Sequence, residues 1–273
     1  TNRYKGVEVK NVKGKVSVTN HRGFIDVSEV EGDLDLKTEH DRLVVEDIQG
    51  QVTLQNSYGR LQVEDVSGPL HIDSTGCRIS ASKVSDKVFI KSSHKLVSVR
   101  DLEGGLELES AYANVNISRI AGPVELRAAH CEVTANELEA GITIQGRGSQ
   151  VSLKEISGDT SIQTSLRNVS VAEFSGALSV QNEFGEVSLK IDEQPAASIT
   201  VKNANGEITL QVPERSNFEL TAQAVAGEII SDFGPKPEES EGNVAFLRTT
   251  VGDGGPQIEL QTTNKRIRIK KQG

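Results

Sequence analysis

The chain has 273 residues, a formal net charge of −9, 36% apolar residues, and neither Trp nor Met. That charge offers no basic footprint for nucleic acid, and an anionic lipid surface would repel it weakly. No run approaches the roughly eighteen apolar residues of a membrane span, so membrane contact is expected only through an anchor outside this sequence.

Read from the N-terminus, Tyr4, Val7, Val9 and Val12 already match the second half of a unit that then repeats without insertion. Its head recurs every eighteen residues, at Gly14, Gly32, Gly50, Gly68, Asp86, Gly104, Gly122, Ala140, Gly158 and Gly176. Soon after each head comes an apolar pair, such as Val52/Leu54 or Leu70/Ile72. A second pair follows, such as Leu61/Val63 or Ile79/Ala81, and a single apolar column running from Val30 through Ile48 and Val66 to Phe174 closes the unit. Pairs spaced i, i+2 are strand periodicity, and registration over many units marks a solenoid.

The predicted fold is therefore all-β, a single-chain β-solenoid of 18-residue coils. It is either a right-handed β-helix or a flattened β-roll, crossover chirality favouring the right hand. A left-handed hexapeptide helix would need hexapeptide spacing of its apolar residues, and the calcium-binding nonapeptide roll its Gly-Gly-x-Gly-x-Asp motif. Neither pattern occurs.

Stacked coils would repeat at about 4.8 Å and turn each column into a ladder of side chains. Small and β-branched residues suit so thin a core. The Gly heads fit positions of positive φ or of close backbone approach. Asn20, Thr38, Asn56, Ser74, Ser92 and Ser110 mark the middle turn with short side chains able to bond local backbone. One coil cannot bury enough to offset the entropy of ordering it, so stability must be collective.

After Phe174 the beat loosens. Asp192 interrupts the closing column, and Gln194-Pro195-Ala196-Ala197 inserts three residues. Ile199/Val201 and Ile208/Leu210 restore a coil, and Phe218, Leu220 and Gly227 to Ile230 read as a wider one. A charged, breaker-rich loop over 234–243 precedes strands expected at 244–249, 257–262 and 266–270. The expected division is a solenoid over 1–233, looser after 192, and an atypical C-terminal β cap over 234–273, ending in the basic run from Lys265 to Lys271.

The pattern Gly-x-Val-x-Leu-x-Asn-x-x-Gly-x-Leu-x-Val-x-x-Val, seen from Gly50 to Val66 and again from Gly176 to Leu189, resembles a family of bacterial β-strand-repeat proteins with an adhesin-like domain of unknown function. The ending is similar too: Gly206 to Leu210, Gly227 to Ile229, Gly254 to Ile258, then Asn264 to Ile267. The resemblance implies an extracytoplasmic β-solenoid of the cell envelope (periplasmic, surface or secreted), linked to adhesion or envelope sensing. It supplies no catalytic residue and no cofactor.

Three columns carry candidate chemistry. The second turn holds Glu29, Asp47, Asp65, Lys83, Asp101, Arg119, Glu137, Glu155 and Glu173. Glu46, Asp47, Glu64 and Asp65 double the charge in adjacent coils and form a calcium candidate. Against it stands a solvated turn whose charges discourage aggregation, with Lys83 and Arg119 able to neutralise neighbours. A mixed column holds Tyr4, Arg22, His40, Tyr58, Gly76, His94, Tyr112, His130, Gly148, Leu166 and Phe184, rings expected to cover a corner with wet polar tips. Its histidines lie roughly 10–14 Å apart, too far to share one metal. Cys77 and Cys131, roughly 14 Å apart, are expected as free thiols.

Outward strips carry Gln163, Gln181, Gln145 and Arg127 on one side and Ser170, Ser188, Thr134 and Asn116 on another. Flat polar strips suit extended polymers, and end coils suit docking by strand addition. No unit from 14 to 193 carries an inserted loop to wall a cleft. The expected function is a non-catalytic structural or protein-interaction module, its partners an envelope protein or a second copy met through end coils. A carbohydrate-binding adhesin is the alternative, with a β-helix polysaccharide-processing enzyme behind it.

Overall fold

A computed structural model describes residues 5–240 and 242–272, and every regular element in it is a β-strand. Tyr4, expected to begin the repeat, lies outside the described residues. The chain divides into two compact units, Thr1–Thr134 and Ala135–Gly273.

In the first unit the coils stack in parallel, each one unit on from the last. Val16 pairs with Leu34, Leu34 with Val52, Val52 with Leu70 and Leu70 with Val88. The later strands follow suit, from Val7 against Ile25 to Leu61 against Ile79. Leu54 and Ile72 are register partners in the core, 0% and 3% exposed. This is the β-solenoid that the periodicity implies.

Two backbone devices turn the corners. Asn11, Glu29, Asp47, Asp65, Lys83, Asp101 and Arg119 all sit in the left-handed region, with φ between 53° and 58°. Each bends a strand, Ile25–Glu31 and its equivalents, so that the closing column (Val30, Ile48, Val66) turns back into the core. The charged column is thus a column of corners. Gly14 also has positive φ, and the Gly heads after it answer a different need, which is close approach. A Cβ on Gly50 would stand 2.5 Å from the carbonyl oxygen of Gly32 in the preceding coil.

Inside the corner that ends the first strand runs a buried polar column: Asn20, Thr38, Asn56, Ser74, Ser92 and Ser110. Asn20 is long enough to donate through Nδ2 to the Gly23 carbonyl at 3.0 Å. Thr38 and the three serines leave their hydroxyl oxygens without a hydrogen-bond partner. Cys77 and Cys131 are buried thiols, neither joined in a disulfide. Cys131 Sγ donates to the Ser110 and Ala129 carbonyls, at 3.5 and 3.4 Å. Burial pushes its thiol above the ordinary range.

The second unit begins in the same way. Ile142 pairs with Thr160 and Thr160 with Leu178, while Glu137, Glu155 and Glu173 continue the left-handed corner. The corner then disappears. In the coil after Glu173, Ile191 is buried and Asp192 stays outside, bonded by Lys190 at 2.8 Å and by Gln272 Nε2 at 2.7 Å. The inserted residues shift the register, so that Leu178 meets Ile199.

The C-terminal strands then leave sequence order. The next coil against Ile199–Asn203 and Ile208–Pro213 is formed by Gln257–Thr263 and Ile267–Gln272. The earlier strands Phe218–Val225 and Ile229–Ser231 pair on the far side of that last coil. Beyond them lie Val244–Val251 and then Glu238–Ser240, both antiparallel. The sequence separates a cap over 234–273 from a solenoid over 1–233, but these pairings put 257–272 inside the stack, and only the antiparallel strands cover its end. The cause is burial: Ile258, Leu260, Ile267 and Ile269 are no more than 1% exposed, and only a coil covered on both sides hides all four. The basic run is neutralised where it enters. Arg266 pairs with Glu228 at 3.0 Å and Arg268 with Glu207 at 3.1 Å.

Candidate functional site

Outward side chains alternate with core residues along each strand, so parallel registration builds rows at about 4.8 Å spacing. In the second unit one row runs Gln145, Gln163, Gln181, Lys202, Gln261, Gln223, each the register partner of the next. A second row beside it runs Thr143, Ser161, Ser179, Thr200, Glu259, Thr221. Together they make a face of amides and hydroxyls with one ammonium and one carboxylate, although the chain carries a net −9. Gln261 Nε2 donates to Glu259 Oε1 at 2.6 Å, tying the rows together.

The amide row borders a groove of about 510 Å³, lined by Gln163, Gln181, Lys202, Gln223 and Gln261 and flanked by Ala204 and Val225. Phe246, 36% exposed, follows Gln223 across the antiparallel pair and is followed in turn by Glu238. Each primary amide offers both a donor and an acceptor. Such a face can bond a ligand that is itself donor and acceptor, without demanding charge.

The sequence finds Gln145, Gln163 and Gln181. Arg127, placed in the same strip, falls in the first unit, where its register partner is Glu109. Gln223 and Gln261 are missed because they enter through the interleaved coil. The local motif was there: Gln261 follows Ile258 and Leu260 as Gln181 follows Leu178 and Val180. The companion strip holds too, with Ser170 beside Ser188 and then Thr209, while Asn116 and Thr134 belong to the first unit.

The equivalent face of the first unit is charged and internally paired. Lys91 meets Glu109 at 3.6 Å, and Lys87 meets Glu107 at 3.5 Å. His71 stacks on Phe89 at 4.5 Å, and the Lys87 ammonium sits 4.6 Å from the same ring. Its groups already satisfy one another.

Among the described residues, no three His, Cys, Asp or Glu side chains converge to hold a metal ion. Within the calcium candidate, Lys83 takes both acids of one coil, reaching Glu64 at 2.9 Å and Asp65 at 3.5 Å. Asp47 and Asp65 stand at left-handed corners, and Glu46 pairs in register with Glu64. Further along, the Arg119 guanidinium donates to both oxygens of Asp101, Nη2 to Oδ2 at 3.1 Å. That bond and its charge hold the Asp101 carboxyl below the usual carboxylate range. Ion pairs between coils answer the stacked charge.

The mixed column is a ladder of rings. His40 stacks on Tyr58 at 5.3 Å, His94 on Tyr112 at 5.6 Å, and Tyr112 on His130 at 5.1 Å. Tyr58 and Tyr112 remain 57% and 60% exposed, so ring faces pack and edges stay wet. His40, Tyr58, His94, Tyr112 and His130 all have positive φ, making this a second left-handed corner. Gly76 has no side chain there, and Tyr58 lies over it, 2.9 Å from where a Cβ would stand.

Fold and faces together define a β-solenoid that displays ordered rows of side chains on regular coils. The chain belongs to the Toastrack family, DUF4097, which matches residues 3–270. No curated protein and no solved structure matches the chain. No helix among the described residues is long and apolar enough to cross a membrane.

Proposed function

We propose that this protein is a non-catalytic interaction module of the bacterial cell envelope, working outside the cytoplasm as a scaffold on whose outward rows a partner is held. The observation that carries this reading is the amide and hydroxyl face of the second unit, continuous across six register-paired strands. Constant spacing in the coils gives a repeating partner equivalent contacts, and the constant unit length from 14 to 193 leaves no inserted loop to wall a reaction cleft. Compartment and adhesive role rest on the family resemblance of the repeat.

The end coil supports self-association as a second mode. Val7–Lys13 pairs with Ile25–Glu31, and its Val7, Val9 and Val12 are only half-buried, whereas Ile25, Val27 and Val30 are fully covered. The test is sizing by static light scattering, together with capture from a fractionated bacterial envelope by the wild type and by a variant carrying Gln163→Glu and Gln181→Glu. A retained envelope partner lost in the variant, or concentration-dependent self-assembly lost on Val9→Asp, is the expected result. An inert monomer that captures nothing would remove the scaffold reading.

A further inference from the structure

We infer that the amide row of the second unit is a binding site for a neutral polyhydroxylated chain, an uncharged polysaccharide. The inference rests on the scaffold reading and names its ligand class.

Three observations choose this ligand. The first is chemical. Gln145, Gln163, Gln181, Gln261 and Gln223 are neutral, and each combines donor and acceptor, as every sugar hydroxyl does. Most of the adjacent row is hydroxyl, so the face can satisfy a ligand whose groups point both ways. A polyanion would find only Lys202 in the amide row, with the carboxylates of Glu259 in the adjacent row and of Glu183 lining the groove. The companion row ends on Arg248, the register partner of Thr221.

The second observation concerns peptides. Every strand beneath the row, from Thr160–Gln163 to Phe218–Val225, is paired on both sides. No free backbone edge remains there for strand addition. Nor does the row offer the deep aromatic or apolar pockets that anchor peptide side chains.

The third is Phe246. It stands 36% exposed in register between Gln223 and Glu238, where a ring can cover the apolar face of a sugar. The amides border a groove of about 510 Å³, and the ring of Phe246 belongs to the residue one register step beyond Gln223, the last amide of the row. The interleaved coil is what completes it, because without Gln261 the row would break between Lys202 and Gln223.

The probe is an array of neutral hexasaccharides (β-glucan, chitin and mannan types), with heparin as the anionic control, read with the wild type and with the variants Gln181→Leu/Gln261→Leu and Phe246→Ser. The substituted groups are outward, and each variant is first checked for an unchanged circular dichroism melt. The expected result is saturable binding to a neutral glycan, insensitive to salt and weakened about tenfold or more in either variant. Binding to heparin alone, or neutral binding untouched by both variants, would overturn the site. A blank array beside a captured protein that the Gln163→Glu/Gln181→Glu variant loses would overturn the glycan while sparing the scaffold. A blank array with an inert monomer would end both.

Discussion

Ile258 is paired in parallel register with Ile199, although the chain runs through the strands 218–225 and 244–251 between them. On its other side Ile258 meets Leu220. One late residue therefore joins two earlier coils, and its substitution should loosen both. Ile258→Ala is expected to cost about 2–5 kcal/mol. Hydrogen exchange should quicken at Val201 and at Ala222 together, and exchange confined to 257–272 would contradict the interleaving.

The heads and the corners should respond in opposite ways to changes at glycine. Gly50→Ala drives a methyl into the Gly32 carbonyl, so a loss of about 1–3 kcal/mol is expected. At Asp47, φ is 56°, and Asp47→Gly relieves a conformation that costs an L-residue on the order of 1 kcal/mol. The greater freedom of glycine in the unfolded chain offsets part of that gain. Thermal melts should show a marked fall for the first variant and an unchanged or slightly raised midpoint for the second.

The buried polar column separates residues that reach a partner from residues that do not. Asn182 donates to the Arg167 carbonyl at 3.1 Å and the Phe184 carbonyl at 2.7 Å. Asn182→Ala should cost about 1–3 kcal/mol by stranding them. Ser92 has no partner for its hydroxyl, so Ser92→Ala should be neutral or stabilising by about 1 kcal/mol. Denaturant titration of the two variants tests the contrast.

Acid should weaken the Arg119 bridge. Asp101 has its folded pKa depressed, first by the hydrogen bond from Arg119 and then by the charge of that group. A depressed carboxylate contributes stability that is fully present above its unfolded value, near 3.9, and is lost as pH falls through its lower folded value. Asp101→Asn should therefore flatten the acid limb of the melt profile, and added salt should shrink the difference between variant and wild type. An acid limb of the same slope in both proteins would deny the bridge any part in stability.

The repeat was legible wherever one interaction dominated. Burial selected Leu54 and Ile72 into columns, and their meeting follows from unit length alone. The loss of the column at Asp192 was visible, and so was the three-residue shift at Gln194. Two things were hidden for physical reasons. A charged residue such as Glu29 does not announce a left-handed corner, because its composition fits a solvated turn equally well. The neighbours of Ile258 are set by which coils can bury one another, and no local pattern encodes that order. The candidate face was readable as far as Gln181, where sequence neighbours are also spatial neighbours, and was lost beyond Lys202, where they are not.

The interleaved coil also orders events during synthesis. A ribosome releases 218–231 well before 257–272, yet the earlier stretch has no settled seat until the later one has docked on Ile199–Asn203. Upstream coils can close one by one as they emerge, whereas this end must hold an apolar strand, Phe218–Val225, in waiting. That interval is when the nascent chain is most open to mispairing or to capture by a chaperone.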